Sequence, residues 1–144
     1  MSSGGIVDAL TEAWNSGDPE RIADHYAPDY VGIDVAQSTP QLGPEAVRRS
    51  VARYREAFPD LRLTTSATVT QDDRIALFWV ARGTHRGPLL NIPPTGRAVE
   101  VRGVSLLSVS GGKVTEALYV WDLAGLLRDV GLLPDLSVES PVLG

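Results

Sequence analysis

Four β-type segments follow one another in the second half of the chain, and they constrain the fold more than any other feature. Each alternates apolar and polar residues and is rich in β-branched types, which is typical of strands exposed on one face. A Gly-Gly pair between the last two predicts a tight hairpin. Short connections of this kind join antiparallel neighbours, so this half predicts a meander of long strands. The predicted strands span residues 61–71, 75–87, 98–110 and 113–122.

Helical patterns dominate the first half. Val47, Val51, Tyr54 and Phe58 recur at the helical period, and Asp18 before a proline is a typical helix start. Because helices and strands are segregated along the chain, the order predicts an α+β fold rather than a parallel α/β sheet. Helices laid on one curved sheet would form a cone whose mouth is a pocket. The predicted helices span 5–16, 19–26, 44–58 and 123–130, with a short strand at 30–35.

Length and composition limit the class of protein. The 144 residues are 43% hydrophobic, enough for one compact core, so we expect a single domain over residues 1–134 and a loosely held tail over 135–144. The net charge of -5 and the lack of a basic block argue against a nucleic-acid partner. The absence of cysteine excludes disulfides and thiol catalysis.

Targeting and metal signals are missing from the sequence. The N-terminal residues have no basic region or long apolar run typical of a signal peptide, and no segment has the about 18 apolar residues of a membrane span. We therefore expect a soluble, cytoplasmic protein without a membrane partner. Its two histidines, His25 and His85, match no metal-binding motif, so we predict no metal site.

Five segments in this order resemble the SnoaL-like polyketide cyclases of the NTF2-like superfamily. They are AWNSGDPERIADHYAPDYV, GPEAVRRSVARYREAFPDLRL, GTHRGPLLNIPPTGR, GGKVTEALYVWD and LAGLLRDVG, and the resemblance extends over roughly residues 6–131. The resemblance implies an NTF2-like cone with three N-terminal helices, a curved antiparallel sheet and a short C-terminal helix. It also implies a homodimer that closes a ring of a polyketide in antibiotic biosynthesis, by intramolecular aldol addition without metal or cofactor.

Asp122 is the first candidate catalytic residue. The resemblance implies an acid/base aspartate near the end of the last long strand, which is the place of Asp122. Strand alternation puts it on the same face as Leu118 and Val120, so it enters the cone if they do. A desolvated carboxylate there would be an effective base for a C–H acid next to a carbonyl. The alternative is an ordinary cap of the helix that follows.

His85 and Asp34 are the other candidate catalytic residues. His85 precedes the Pro-Gly-rich loop and would hydrogen-bond a substrate carbonyl, or else fix that loop through a backbone bond. Asp34 would be a second acid in the mouth, or else a residue that organises the following turn. Two carboxylates would suit epoxide opening, as in NTF2-like epoxide hydrolases, whose Asp-Arg-Asp arrangement needs an arginine such as Arg82 or Arg102.

Aromatic residues supply the candidate walls of a ligand site. Aromatics at these spacings also fit a plain core, and Ser105 fits either a hydrogen-bond donor or a packed hydroxyl. Tyr119 and Trp121, if they point outward, would form an apolar patch for a dimer partner. The candidate substrate-binding residues are Trp14, Tyr26, Tyr54, Phe58, Trp79 and Ser105.

Three functions remain open from the sequence. The first is a cyclase that uses Asp122 and His85, and the second is an epoxide-opening cyclase or hydrolase that uses Asp122 with Asp34. The third is a non-catalytic NTF2-like module that binds a ligand or partner. An open pocket favours the enzymes, whereas a cone filled by its own side chains favours the module.

Overall fold

The computed structural model describes residues 3–135, so the predicted tail lies outside them from residue 136 onward. The helices are α1 (Ser3–Ser16), α2 (Pro19–Ala23), α3 (Gly43–Ala57) and α4 (Leu123–Asp129). The strands are β1 (Tyr26–Asp34), β2 (Gln41–Leu42), β3 (Arg62–Gln71), β4 (Arg74–Thr84), β5 (Ala98–Ser110) and β6 (Lys113–Trp121). In the described part of the chain, no helix is long and apolar enough to cross a membrane.

One curved sheet of six strands carries the fold, in the order β2-β1-β6-β5-β4-β3. The four long strands β3 to β6 form the predicted antiparallel meander. β1 joins β6 in parallel, and β2 extends the other edge of β1. The α+β prediction is confirmed, with helices segregated from the meander as the sequence pattern indicated.

The boundaries differ from the prediction in three places. β1 begins at Tyr26, four residues earlier than predicted, and α2 ends at Ala23 because pairing with Val114 of β6 captures the chain there. The two-residue strand β2 was not predicted. β4 ends at Thr84 instead of residue 87, because the next amides hydrogen-bond to the last turn of α3 and to the returning chain rather than along the strand.

The face of β6 that carries Leu118 and Val120 points away from the helices. Leu118 is 37% exposed and Val120 is 48% exposed, whereas Ala117 is buried beneath the helices. Tyr119 packs against the same core as Ala117, so it does not point outward. The condition under which Asp122 would enter the cone is therefore not met, since alternation defines two sets of residues without deciding which set packs against the helices.

Two hydrophobic clusters fill the space between the helices and the sheet. The larger joins α1 and α3 to the middle of the sheet, and the smaller joins α4 and the end of α3 to the start of β5. Trp79 packs against both clusters, so it stands at the boundary between them. The Trp79 ring therefore lies against the space that the helices enclose.

Candidate functional site

A cavity lies between the helices and the concave face of the sheet. It encloses about 180 Å³, well above the roughly 10–15 Å³ that one water molecule needs, so the side chains of residues 3–135 do not fill the space. Most lining residues are aliphatic or aromatic. Among the described lining residues, Asp34 is the only carboxylate, and none is lysine, arginine or histidine. The polar lining side chains besides tyrosine and tryptophan are Thr11, Asp34, Gln41, Ser50, Thr65 and Ser105.

Asp34 ends β1 at the wall of this cavity and is only 5% exposed. Its Oδ1 accepts hydrogen bonds from the indole Nε1 of Trp121 at 2.8 Å and from the amide of Ala36 at 2.9 Å. Both hydrogen bonds described for the carboxylate fall on Oδ1, so Oδ2 is the oxygen available to a ligand. Asp34 thus organises the turn and lines the cavity, which joins the two alternatives that the sequence left open.

Asp122 lies outside the residues that line the cavity, and its side chain is 51% exposed. Its Oδ1 accepts a hydrogen bond from the Gly125 amide at 2.8 Å, which caps α4. Its Oδ2 is 4.0 Å from a guanidinium nitrogen of Arg128. This geometry is that of a helix cap. Asp122 makes no contact with the cavity that would support the catalytic role predicted for it.

His85 is fully buried but does not line the cavity. Its Nδ1 lies 3.0 Å from Oγ1 of Thr95 and accepts a longer bond from the Thr95 amide at 3.3 Å. Its ring packs at 5.6 Å against Phe58, which is a wall residue. His85 therefore fixes the Pro-Gly-rich loop behind the wall, as the alternative interpretation expected, and its predicted bond to a substrate carbonyl has no geometric support.

The predicted wall residues do come together. Trp14 donates from Nε1 to the Tyr26 hydroxyl at 3.2 Å, and Trp79 donates to Oγ of Ser105 at 2.9 Å. Because these indole N–H groups are already paired, the rings offer mainly their apolar surfaces to a ligand. The predicted wall residues that line the cavity are Trp14, Tyr26, Tyr54, Phe58, Trp79 and Ser105.

A glycine makes room for one of these rings. A Cβ on Gly103 would come within 2.3 Å of the Trp79 ring, so only glycine lets that ring lie across β5. A glycine inside a strand pattern was the sequence signal for this close approach.

The site also contains residues that the sequence interpretation missed. Tyr119 and Trp121 line the cavity, and the Tyr119 hydroxyl lies 2.8 Å from that of Tyr30. Burial, as the largest cause, raises the pKa of Tyr119 and of Tyr26, which keeps these wall phenols protonated at neutral pH. Assigning the other face of β6 to the cavity would have identified both Tyr119 and Trp121 as lining residues.

An Asp-Arg-Asp arrangement for epoxide hydrolysis does not assemble. Arg82 pairs with Glu100 at 2.8 Å on the exposed side of the sheet, and the Arg102 side chain is 74% exposed. Neither arginine lines the cavity that contains Asp34.

Comparison with known proteins gives one family. The model of the SnoaL-like polyketide cyclases matches residues 5–130. The chain is 28% identical to the aklanonic acid methyl ester cyclase AcmA of Streptomyces galilaeus, over 87% of this chain and 88% of that protein. It is 26% identical to the nogalonic acid methyl ester cyclase of Streptomyces nogalater, over 85% and 92%. The crystal structure of AclR, a candidate hydroxylase of Streptomyces galilaeus, superposes with a TM-score of 0.82 at 30% identity, covering 94% of this chain and 84% of that one.

Proposed function

This chain belongs to the SnoaL-like polyketide cyclase family, and we propose that it closes a ring of a polyketide-like molecule with Asp34 as its acid/base. The observation that supports this choice is the position of Asp34, the only carboxylate among the described residues that line the cavity. The catalytic role is moved from Asp122 to Asp34, because proton transfer requires hydrogen-bond reach of the substrate.

In the reaction, one proton leaves a carbon atom and is later delivered to an oxygen atom. Asp34 Oδ2 takes a proton from the carbon next to a carbonyl, and the electron pair moves onto that carbonyl oxygen as an enolate. The enolate carbon attacks a second carbonyl of the same molecule, so a C–C bond forms and the second carbonyl becomes an alkoxide. Asp34 returns its proton to the alkoxide, and the product is an isomer of the substrate.

The apolar walls fit an uncharged, flat substrate. Trp14, Tyr54 and Trp79 offer large ring surfaces, and no lysine, arginine or histidine among the described lining residues would pair with a substrate carboxylate. AcmA and the nogalonic acid cyclase are named for methyl esters, which lack a free carboxylate at the esterified position. We therefore propose an esterified polyketide as the substrate.

The epoxide-opening alternative is disfavoured by the separation of the two aspartates. That mechanism needs two carboxyl groups at one substrate, whereas Asp34 lines the cavity and Asp122 does not. The non-catalytic module is disfavoured by the open cavity, because a module of that kind was expected to fill the cone with its own side chains.

We also propose that two copies pair through the convex face of the sheet. Four of the exposed apolar side chains there, on β1, β4 and β6, form a pattern that often marks an interface. We propose this surface instead of the predicted patch of Tyr119 and Trp121, because those two side chains face the cavity. Sedimentation of the wild type against Leu118→Glu would test the pairing, and a monomeric wild type would contradict it. The exposed side chains are Ile33, Phe78, Leu118 and Val120.

Incubation with aklanonic acid methyl ester or nogalonic acid methyl ester, in the presence of EDTA, tests the proposed reaction. A cyclase gives a product of unchanged mass with one more ring. A product that gains one water would show hydrolysis instead, and no conversion of either ester would contradict the substrate class. Asp34→Asn in the same assay distinguishes enzyme catalysis from spontaneous cyclisation.

A further inference from the structure

We infer that Tyr54 is a second catalytic residue, whose hydroxyl donates a hydrogen bond to the substrate oxygen that becomes negative when Asp34 removes a proton. This inference rests on the proposed function. It deepens that proposal because it assigns a group to the oxygen that carries the developing charge, which Asp34 alone does not stabilise.

Tyr54 and Asp34 reach the cavity from different elements. Tyr54 belongs to α3, Asp34 ends β1 on the sheet, and both line the same space. A substrate in the cavity would therefore meet both the base and the phenol. This is the arrangement that enolate formation needs, since the carbon that loses the proton and the carbonyl oxygen belong to neighbouring atoms.

The two groups are electrostatically coupled. Burial raises the pKa of Tyr54 most, and the negative charge of Asp34 raises it further. The phenol therefore remains an O–H donor at neutral pH. The Gln37 side chain acts in the opposite direction and lowers the pKa of Tyr54 by the smallest of the contributions.

Gln37 connects the two groups through the turn that Asp34 organises. The Gln37 main-chain amide donates to the Asp34 carbonyl oxygen at 3.0 Å, and the Gln37 side chain is near enough to the Tyr54 phenol to lower its pKa. A side-chain amide that donates to the phenol oxygen would leave the phenol proton for a ligand in the cavity. The turn after β1 thus positions both the base and the donor.

The indole N–H groups and two of the three phenols on the walls are engaged within the protein. The indole N–H groups of Trp14, Trp79 and Trp121 donate to Tyr26, Ser105 and Asp34 respectively. The Tyr119 hydroxyl is shared with Tyr30 at 2.8 Å. Among the described residues, three phenols line the cavity. The Tyr26 and Tyr119 hydroxyls are hydrogen-bonded to Trp14 and Tyr30, whereas no aromatic partner is described for the Tyr54 hydroxyl, so Tyr54 is the donor best suited to a substrate oxygen.

Binding of an enol analogue tests the inference without requiring turnover. 2-Naphthol is flat and carries one oxygen, whereas naphthalene has the same rings without it. We expect the wild type to bind 2-naphthol more tightly than naphthalene, and Tyr54→Phe to lose about tenfold of that preference, the equivalent of one hydrogen bond. Calorimetric titration measures both affinities.

Asp122→Asn is the control. Asp122 lies outside the residues that line the cavity, so both ligand affinities should be unchanged. Equal affinity of the wild type for the two ligands would overturn the inference. An unchanged preference in Tyr54→Phe would overturn it too.

Turnover gives a second measurement. With the ester substrate, Tyr54→Phe should lower kcat about 100-fold and change KM by less than about threefold, as expected when an oxyanion donor is lost. If Tyr54→Phe lowers only the affinity, Tyr54 is a binding residue and the inference is wrong while the role of Asp34 stands. If Asp34→Asn keeps full activity, the proposed function itself fails, and the naphthol comparison still decides whether Tyr54 donates to a ligand oxygen.

Discussion

Two aspartates at the ends of neighbouring parallel strands show how similar local patterns reach different environments. Asp34 ends β1 and Asp122 follows β6, and each uses Oδ1 to accept a backbone amide a few residues further on. Asp34 is 5% exposed and lines the cavity, whereas the Asp122 side chain is 51% exposed and caps α4. A backbone hydrogen bond therefore does not distinguish a site residue from a cap, and only the side of the sheet does.

The two aspartates should differ most clearly in their effect on turnover. Asp34→Asn should lower kcat about 1,000-fold, because it removes the proton-transfer group from the cavity. Asp122→Asn should stay within about twofold of the wild type, because asparagine caps helices as well as aspartate does. Steady-state kinetics with the ester substrate measures both variants, and circular dichroism confirms that each is folded. The opposite ranking would return the catalytic role to Asp122.

Trp121 tests how precisely Asp34 must be held. Trp121→Phe removes the indole N–H that donates to Asp34 Oδ1 at 2.8 Å but keeps an aromatic ring. A bond to a charged group is worth about 1.5–3 kcal/mol, so we expect kcat to fall at least about tenfold. Trp79→Phe removes the equivalent N–H from Ser105 and should change kcat less. Equal effects of the two variants would show that Trp121 acts only through packing.

Asp122→Ala measures the role that the geometry does assign to this residue. Loss of the cap to the Gly125 amide should lower the free energy of unfolding by about 1 kcal/mol. Activity at a temperature where the variant is folded should remain that of the wild type. Urea unfolding gives the free energy, and an unfolding midpoint equal to that of the wild type would show that α4 does not need this cap.

The smallest effect concerns the ionisation of Tyr54. The negative charge of Asp34 contributes to raising the pKa of Tyr54, so Asp34→Asn should lower that pKa, while burial keeps it above its ordinary value. Tyrosinate formation in the variant should therefore begin at lower pH than in the wild type. Absorbance titration measures it, with Tyr54→Phe to identify the transition. Asp122→Asn should leave the titration unchanged, and a shift of equal size there would contradict the local coupling.

Much of the fold followed from short-range patterns. The antiparallel meander and the Gly-Gly hairpin were readable because alternation and turn chemistry act over a few residues. The two-residue strand β2 and the early start of β1 were not readable, since both depend on partners distant in sequence. The predicted wall aromatics all line the cavity, because large apolar side chains line the interior whether or not a cavity forms there. Their role in substrate binding stays a prediction.

The sequence by itself determined the α+β class and the two alternating sets of residues on β6. Only the tertiary structure decided that Tyr119 and Trp121 face the cavity while Leu118 and Val120 face outward. The physical reason is that a strand with apolar residues on both faces is equally compatible with either orientation. Packing of the helices on one face removes that ambiguity, and it is what placed Asp34, rather than Asp122, at the cavity.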